Sequence, residues 1–155
     1  VRNPNFAITG RRGASLSVTG DGGGQKITVI TPGSTYAWTT LGMKRVLTKS
    51  GDTIFSISTK TTEDITITGN SRSNRVMNGG RLVVTDNTND YSVALRFENV
   101  AWAATCNCAV SGKIVGTASG DVEGGYTLEI TGCGTGKVSF DDESENVTFD
   151  RCSSV

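Results

Sequence analysis

Four cysteines are the residues whose type and spacing most directly predict chemistry. They are Cys106, Cys108, Cys133 and Cys152, all in the last third of the 155-residue chain. An even number of cysteines in a small chain with only 35% hydrophobic residues is typical of exported, disulfide-bonded proteins. We therefore expect two intramolecular disulfides. The alternative is a zinc site with four thiolate ligands, which the short Cys-x-Cys spacing disfavours.

The last predicted hairpin bears on how the cysteines pair. Its apolar residues share one face only if paired residues have an odd sum of their numbers. A sum of 285 places Val138 opposite Val147, and it also places Cys133 beside Cys152. A bond between those two would leave a strained ring between the other two cysteines, whereas crossed pairs avoid that ring. Both pairings stay open at this stage, with the crossed arrangement favoured.

The chain contains no histidine, which restricts the catalytic chemistry open to it. Ser–His–Asp and Cys–His nucleophile systems, HExxH zinc sites and non-haem iron triads all require histidine. The remaining catalytic candidate is a carboxylate pair that hydrolyses a glycan, formed by Glu98 with Asp141 or Asp142. We rank it below a non-catalytic role, because acidic residues at a hairpin tip are typical of a solvated turn. We assign no catalytic residue and no cofactor.

One acidic segment has the spacing of the first positions of a calcium loop. It is Asp86-Asn-Thr-Asn-Asp90. The segment lacks the glycine at position six and the distant bidentate glutamate that such loops use. Asn and Asp are also ordinary turn residues, so we expect a turn here and assign no metal ligand.

Two aromatic residues are the candidate ligand contacts. Tyr36 and Trp38 are two residues apart, so in a strand they lie side by side on one face, where aromatic rings can stack on a sugar. The alternative, which we consider about twice as favourable, is that both rings fill the core.

Charge and hydropathy exclude two classes of partner. The chain has 15 Lys and Arg against 15 Asp and Glu, a formal net charge of zero. It therefore offers no overall field to attract nucleic acid. No apolar run approaches the roughly 20 residues of a spanning helix, so we predict no transmembrane segment.

Alternation of apolar and polar residues predicts the elements that position these groups. Tyr91, Val93, Leu95 and Phe97, for example, alternate with polar neighbours, which is typical of a strand with one buried face. Turn residues recur at short intervals and separate predicted strands near 5–9, 14–20, 25–31, 35–40, 43–49, 52–59, 63–69, 80–86, 90–100, 110–118, 124–131, 135–141 and 145–151. We predict an all-β fold of one domain, residues 1–155, as an antiparallel meander.

A meander of this length is expected to form a sandwich or a closed up-and-down barrel, because long open sheets expose their edges. Residue parity predicts which apolar side chains point into the core. They are Val93, Leu95, Phe97, Leu128, Ile130, Val138, Phe140, Val147 and Phe149.

The second half of the chain resembles a pattern found in uncharacterised secreted proteins and lipoproteins of Gram-negative bacteria. The matching segments are 78–85, Cys108-Ala-Val-Ser-Gly112, 116–120, Ile130-Thr-Gly-Cys-Gly-Thr135, 138–141 and Val147-Thr-Phe-Asp-Arg-Cys152. Ala109 stands where that pattern often has proline. The resemblance implies an exported β-rich protein of the envelope or cell surface.

These observations favour a non-catalytic, exported module of the cell envelope or cell surface, structural or adhesive. The expected location is the periplasm, the outer-membrane surface or the extracellular space. Expected partners are an envelope glycan, another surface protein or a second copy joined through exposed strand edges. The alternatives are a carrier with an apolar barrel cavity for a small ligand, and the carboxylate hydrolase.

Overall fold

Eleven strands make up most of the molecule. The computed structural model describes residues 1–121 and 123–153. The strands are β1 (Asn5–Thr9), β2 (Ala14–Thr31), β3 (Thr35–Lys49), β4 (Asp52–Glu63), β5 (Ile65–Thr68), β6 (Val76–Asp86), β7 (Tyr91–Trp102), β8 (Ala109–Gly120), β9 (Gly124–Gly132), β10 (Thr135–Phe140) and β11 (Glu143–Thr148). Two short 3₁₀ turns, Arg11–Gly13 and Arg72–Asn74, complete the regular structure of the described residues.

All eleven strands belong to one antiparallel sheet. Its order is β1-β2-β3-β4-β6-β7-β8-β9-β10-β11, and β5 is inserted between the far ends of β3 and β6. Strand order thus follows the sequence, so the predicted all-β antiparallel meander is confirmed. Among the described residues β1 pairs only with β2, and β11 pairs only with β10. The sheet therefore has two edges.

Glycine-rich segments that the sequence suggested as turns lie inside long strands. The predicted strands 14–20 and 25–31 are one strand, β2, and the predicted strands 35–40 and 43–49 are one strand, β3. Register shifts at Gly24 and Gly42 mark where the two strands bulge. A Cβ on Gly42 would overlap the carbonyl of Asp21. Glycine here allows two backbones to approach and the strands to continue.

The apolar face of the sheet has a small, deeply buried centre. Ile65, Phe97 and Val100 are buried together, and Trp38, Met77, Leu82, Trp102, Ala109, Ile114 and Ile130 pack around them. The accessible surface is 9490 Å², whereas a compact monomer of this mass exposes about 7,500 Å². Much of the face is therefore only partly covered.

The predicted core residues are buried to different degrees. Phe97 is buried (8% exposed), as expected, but Phe140 is 42% exposed, so its assignment to the core is wrong. The other seven are intermediate. Phe140 lies near the β11 edge, where too few neighbouring strands remain to cover its ring.

The last hairpin has a different register from the predicted one. Val138 pairs with Glu145, and Gly136 pairs with Val147, so paired numbers add to 283 instead of 285. The sum is still odd, and Val138 and Val147 still share a face. Asp141 has a φ of 49° and helps to form a turn of two residues, 141–142, between the strands. The tight turn, which parity cannot reveal, sets the register.

Candidate functional site

Two disulfide bonds close one end of the sheet, and the predicted disulfides are thus present. They join Cys106 to Cys133 and Cys108 to Cys152, with Cα–Cα distances of 5.7 and 5.5 Å. This is one of the crossed arrangements that the sequence left open. Because the four sulfurs are bonded in pairs, none is a free thiolate for the alternative zinc site.

Asn107, which lies between Cys106 and Cys108, holds the C-terminal segment at the same end of the sheet by hydrogen bonds. Its backbone N–H donates to the Ser153 carbonyl (3.2 Å), and its side-chain amide donates to the Arg151 carbonyl (3.0 Å). Its side-chain oxygen accepts from the Ser153 N–H (2.8 Å). Cys106 is completely buried in this corner. The disulfides therefore belong to a well-packed structural element.

Tyr36 and Trp38 lie on the apolar face, as their parity predicts, but in different surroundings. Trp38 pairs with Ile65 across β3 and β5 and packs against the buried centre. Tyr36 pairs with Ile67 and lies outside that cluster. Trp38 thus has the core role that we considered the stronger alternative, and Tyr36 stays a candidate for ligand contact.

Tyr36 lines a groove of about 320 Å³ on this face. The other lining residues are Ile27, Ile67, Gly69, Asn70 and Arg75. Ile27 is 64% exposed, and Arg75 is exposed as well. The groove thus combines an aromatic ring and two isoleucines with an amide and a guanidinium. In general, an aromatic ring can stack on an apolar face of a ligand, and an amide or a guanidinium can bond hydroxyl or acidic groups.

The sequence pointed to Tyr36 but not to the rest of the groove. Asn70 and Arg75 flank a 3₁₀ turn that follows β5. The pairing of β5 between β3 and β6 brings them to Tyr36. The sequence did contain a signal for an apolar neighbour of Tyr36. Ile27 and Val29 are two residues apart, so both lie on the same face of β2.

The predicted carboxylate pair is not brought together. Glu98 pairs with Lys113, which pairs with Glu129, which in turn pairs with Lys137. Asp141 lies four residues beyond Lys137, in the β10–β11 turn. With strands about 4.8 Å apart and about 3.3 Å per residue, Glu98 and Asp141 are roughly 20 Å apart. That is well beyond the roughly 5–10 Å of glycosidase carboxylates.

The acidic segment at 86–90 is a hydrogen-bonded turn between β6 and β7. The Asp86 carboxylate accepts bonds from the backbone N–H groups of Thr88 (2.8 Å) and Asn89 (3.2 Å) and from the Asn89 side chain (2.9 Å). The Asn89 amide, followed by the Thr88 N–H, lowers the pKa of Asp86 from its ordinary 3.8. The carboxylate is thus engaged by the protein's own donors.

The same turn anchors a neighbouring strand. The Asn87 side-chain amide donates to the Ser56 carbonyl (3.0 Å) and to the Ser58 hydroxyl (3.0 Å) in β4. The Ser56 N–H donates to the Thr88 hydroxyl (2.9 Å). The segment therefore holds three strands together, as expected for a structural turn.

Residues 1–121 and 123–153 contain no group of three or more cysteine, aspartate or glutamate side chains placed to hold a metal ion. Their helical segments are too short to cross a bilayer.

Comparison of the chain with protein-family models, with curated proteins and with solved structures gave no match.

Proposed function

We propose that the chain is a non-catalytic, exported module of the cell envelope or cell surface that works by contact, in a structural or adhesive role. The observation that carries this proposal is the sheet itself: eleven antiparallel strands, cross-linked at one end by two disulfides, with a partly covered apolar face and two edges among the described residues. Such a surface suits binding over a wide area.

The disulfides support the exported location. They fit an oxidising compartment, because cytosolic thiols are kept reduced. The resemblance to secreted proteins and lipoproteins of Gram-negative bacteria points to the periplasm, the outer-membrane surface or the extracellular space. The bonds would keep the C-terminal strands folded in such surroundings, where a chain with few buried side chains needs additional restraint.

The Tyr36 groove is the proposed adhesive contact, and an envelope glycan is the proposed partner. An aromatic ring can stack on the apolar face of a sugar. The Asn70 amide can bond its hydroxyl groups, and the Arg75 guanidinium suits an acidic substituent. All three side chains line the same groove.

Binding to isolated bacterial envelopes and to purified envelope polysaccharide tests the proposal. We expect the oxidised chain to bind, and we expect Tyr36→Ala to weaken binding at least about tenfold. Ile54→Ala is the matched control, because it removes an exposed apolar side chain that belongs to β4, an inner strand, and lies outside the groove. It should bind like the wild type.

Two other results would contradict the proposal. A carrier would retain a small apolar molecule in native mass spectrometry of the purified chain. A hydrolase would release reducing sugar from the polysaccharide. Equal binding by the wild type and Tyr36→Ala would show that the glycan does not bind in the Tyr36 groove.

A further inference from the structure

Each edge of the sheet leaves strand backbone without a partner among the described residues. At one edge β1 covers only residues 15–19 of β2, so Lys26–Thr31 has β3 on one side and nothing described on the other. At the opposite edge is β11, which pairs only with β10. We call these the β2 edge and the β11 edge. Unpaired N–H and C=O groups at such edges favour pairing with a further strand.

The charges of the chain are distributed across the sheet from one edge to the other. Residues 1–49, which form the β2 side, carry seven Lys and Arg and one Asp. The described residues 123–153, on the β11 side, carry seven Asp and Glu and two Lys and Arg. The chain with zero net charge therefore has a basic region of about +6 and an acidic region of about −5 at opposite sides of the sheet. Such complementarity steers one molecule toward another in a head-to-tail orientation.

Rows of cross-strand neighbours connect the two edges on the apolar face. One row runs from Val29 to Val147 through Tyr36, Ile67, Met77, Val100, Gly112, Ile130 and Gly136. A second row runs from Arg2 to Glu143 through Gln25, Thr40, Thr61, Leu82, Leu95, Gly116, Tyr126 and Phe140. The β11 edge thus lies at the same level along the strands as the uncovered part of β2.

The two ends of these rows are chemically complementary. Ile27 and Val29 at the β2 edge are 64% and 56% exposed. At the β11 edge Val138, Phe140 and Val147 form an open apolar groove with Glu143, Ser144 and Glu145. Exposed apolar side chains thus occur at both edges, with Arg2 and Lys26 beside one set and two glutamates beside the other. Both edges present the apolar groups on the same face.

We propose that a second copy of this chain binds at the β2 edge through its β11 edge, so that copies join head to tail into a continuous sheet. β11 of the second copy would pair with Lys26–Thr31, the part of β2 that β1 does not cover. The acidic turn before β11 would then lie next to Arg2. β2 and β11 run in the same direction, because alternation along β2-β3-β5-β6-β7-β8-β9-β10-β11 separates them by eight antiparallel steps. The join is therefore a parallel pair that keeps the apolar faces on one side.

This contact uses two different surfaces, so each added copy leaves one of each edge free. A heterologous contact of this kind generates an open filament unless it closes into a ring. The proposal rests on the proposed structural or adhesive function. In it, copies of this chain are each other's partners, and they assemble into a surface fibre that carries many Tyr36 grooves in a row.

Charge reversal at each edge provides the test. Glu143→Lys with Glu145→Lys makes the β11 edge basic, and Arg2→Glu with Lys26→Glu makes the β2 edge acidic; all four residues are exposed. Either double variant should associate at least about tenfold more weakly than the wild type in sedimentation velocity. The quadruple variant should recover association, because its edges are again complementary. Glu98→Lys and Lys60→Glu, exposed positions away from both edges, are the matched controls and should not change it.

The outcomes separate the proposal from its alternatives. Oligomers that grow with protein concentration, shorten at high salt and appear as filaments in electron micrographs support the join. A species that stops at the dimer and is unaffected by the double variants indicates face-to-face pairing and overturns it. A monomer at every concentration also overturns it. A monomer that still binds envelope glycan through Tyr36 would leave the proposed function in place, whereas filaments without glycan binding would contradict the adhesive role alone.

Discussion

Cys106 is completely buried, and its sulfur is bonded to Cys133, 27 residues further along the chain. Its neighbour but one, Cys108, bonds to Cys152, 44 residues away. The two bonds therefore close overlapping loops and hold the last four strands to the end of β7. The arrangement gives a direct expectation for the effect of each bond on stability.

Removing either disulfide should destabilise the fold by about 3–4 kcal/mol, the chain-entropy contribution for loops of these lengths. Cys108→Ala with Cys152→Ala loses that contribution. Cys106→Ala with Cys133→Ala should lose at least as much, because it also leaves a small cavity at the buried Cys106 site. Urea unfolding of the two double variants measures both. A loss below about 1 kcal/mol in either would show that the bond does not restrain the fold.

Phe97 and Phe140 should respond very differently to truncation. Phe97 packs with Ile65 and Val100 at the buried centre, so Phe97→Ala should reduce the free energy of unfolding by about 3–5 kcal/mol. Phe140 is 42% exposed, and Phe140→Ala should cost less than about 1.5 kcal/mol. Chemical denaturation of the two variants compares them, and equal losses would contradict the burial pattern.

Gly79 and Gly80 form a matched pair for backbone crowding. Their φ angles are 64° and 66°, so alanine at either position pays the same left-handed strain of about 1 kcal/mol. A Cβ on Gly79 would meet nothing within 4 Å, whereas one on Gly80 would collide with the Asp64 carbonyl and with Ile65. Gly80→Ala should therefore lower the melting temperature clearly more than Gly79→Ala does. Similar melting temperatures would mean that β5 can move away at little cost.

Thr40 should tolerate valine. Its side chain is 1% exposed, and its hydroxyl has no hydrogen-bond partner among the described residues. Its backbone N–H and carbonyl both bond to the Thr61 hydroxyl and are unaffected by the change. Thr40→Val should be neutral or stabilise the fold by about 1 kcal/mol, because an unpaired buried hydroxyl is removed. Thermal unfolding measures the change, and a clear loss of stability would reveal a partner for that hydroxyl.

Asp86 should make stability depend on acid pH. The turn lowers the pKa of its carboxyl in the folded state, so the folded protein binds fewer protons there than the unfolded chain. Its stabilising effect is therefore present above the ordinary pKa of 3.8 that the carboxyl has in the unfolded chain, and it is lost as the pH falls through the lower folded value. The melting temperature of the wild type should exceed that of Asp86→Ala at neutral pH, and the difference should shrink as the pH falls below 3.8. A constant difference would mean that the charge has no role.

Alternation predicted the faces of the strands well but not their burial. Val93, Leu95 and Phe97 share a face as expected, yet only Phe97 is deeply buried. Parity reports the side to which a residue points, whereas burial depends on what lies above that side. Phe140 has the same sequence signal as Phe97, and only its place beside the last strand distinguishes it.

The features of the candidate site that the sequence did not predict have similar physical causes. Glycine clusters such as 20–24 predict turns by local propensity, but long-range pairing with β3 overrides them and keeps β2 continuous. The groove at Tyr36 depends on β5 being inserted between β3 and β6, a contact between distant segments that no local pattern encodes. The disulfides, in contrast, follow from composition alone, because thiol chemistry depends on compartment more than on fold.

The coincidence of strand order with sequence order has a mechanical consequence. If tension is applied between the two ends of the chain, strands from the β1 side can peel away one after another, since each is held mainly by its sequence neighbours. About 350 Å of chain could be drawn out from residues 1–105 in this way, at roughly 3.4 Å per residue. Extension would then stop at Cys106, where the covalent cross-links begin. The molecule thus combines an extensible segment, residues 1–105, with a covalently cross-linked end, a combination suited to bearing load.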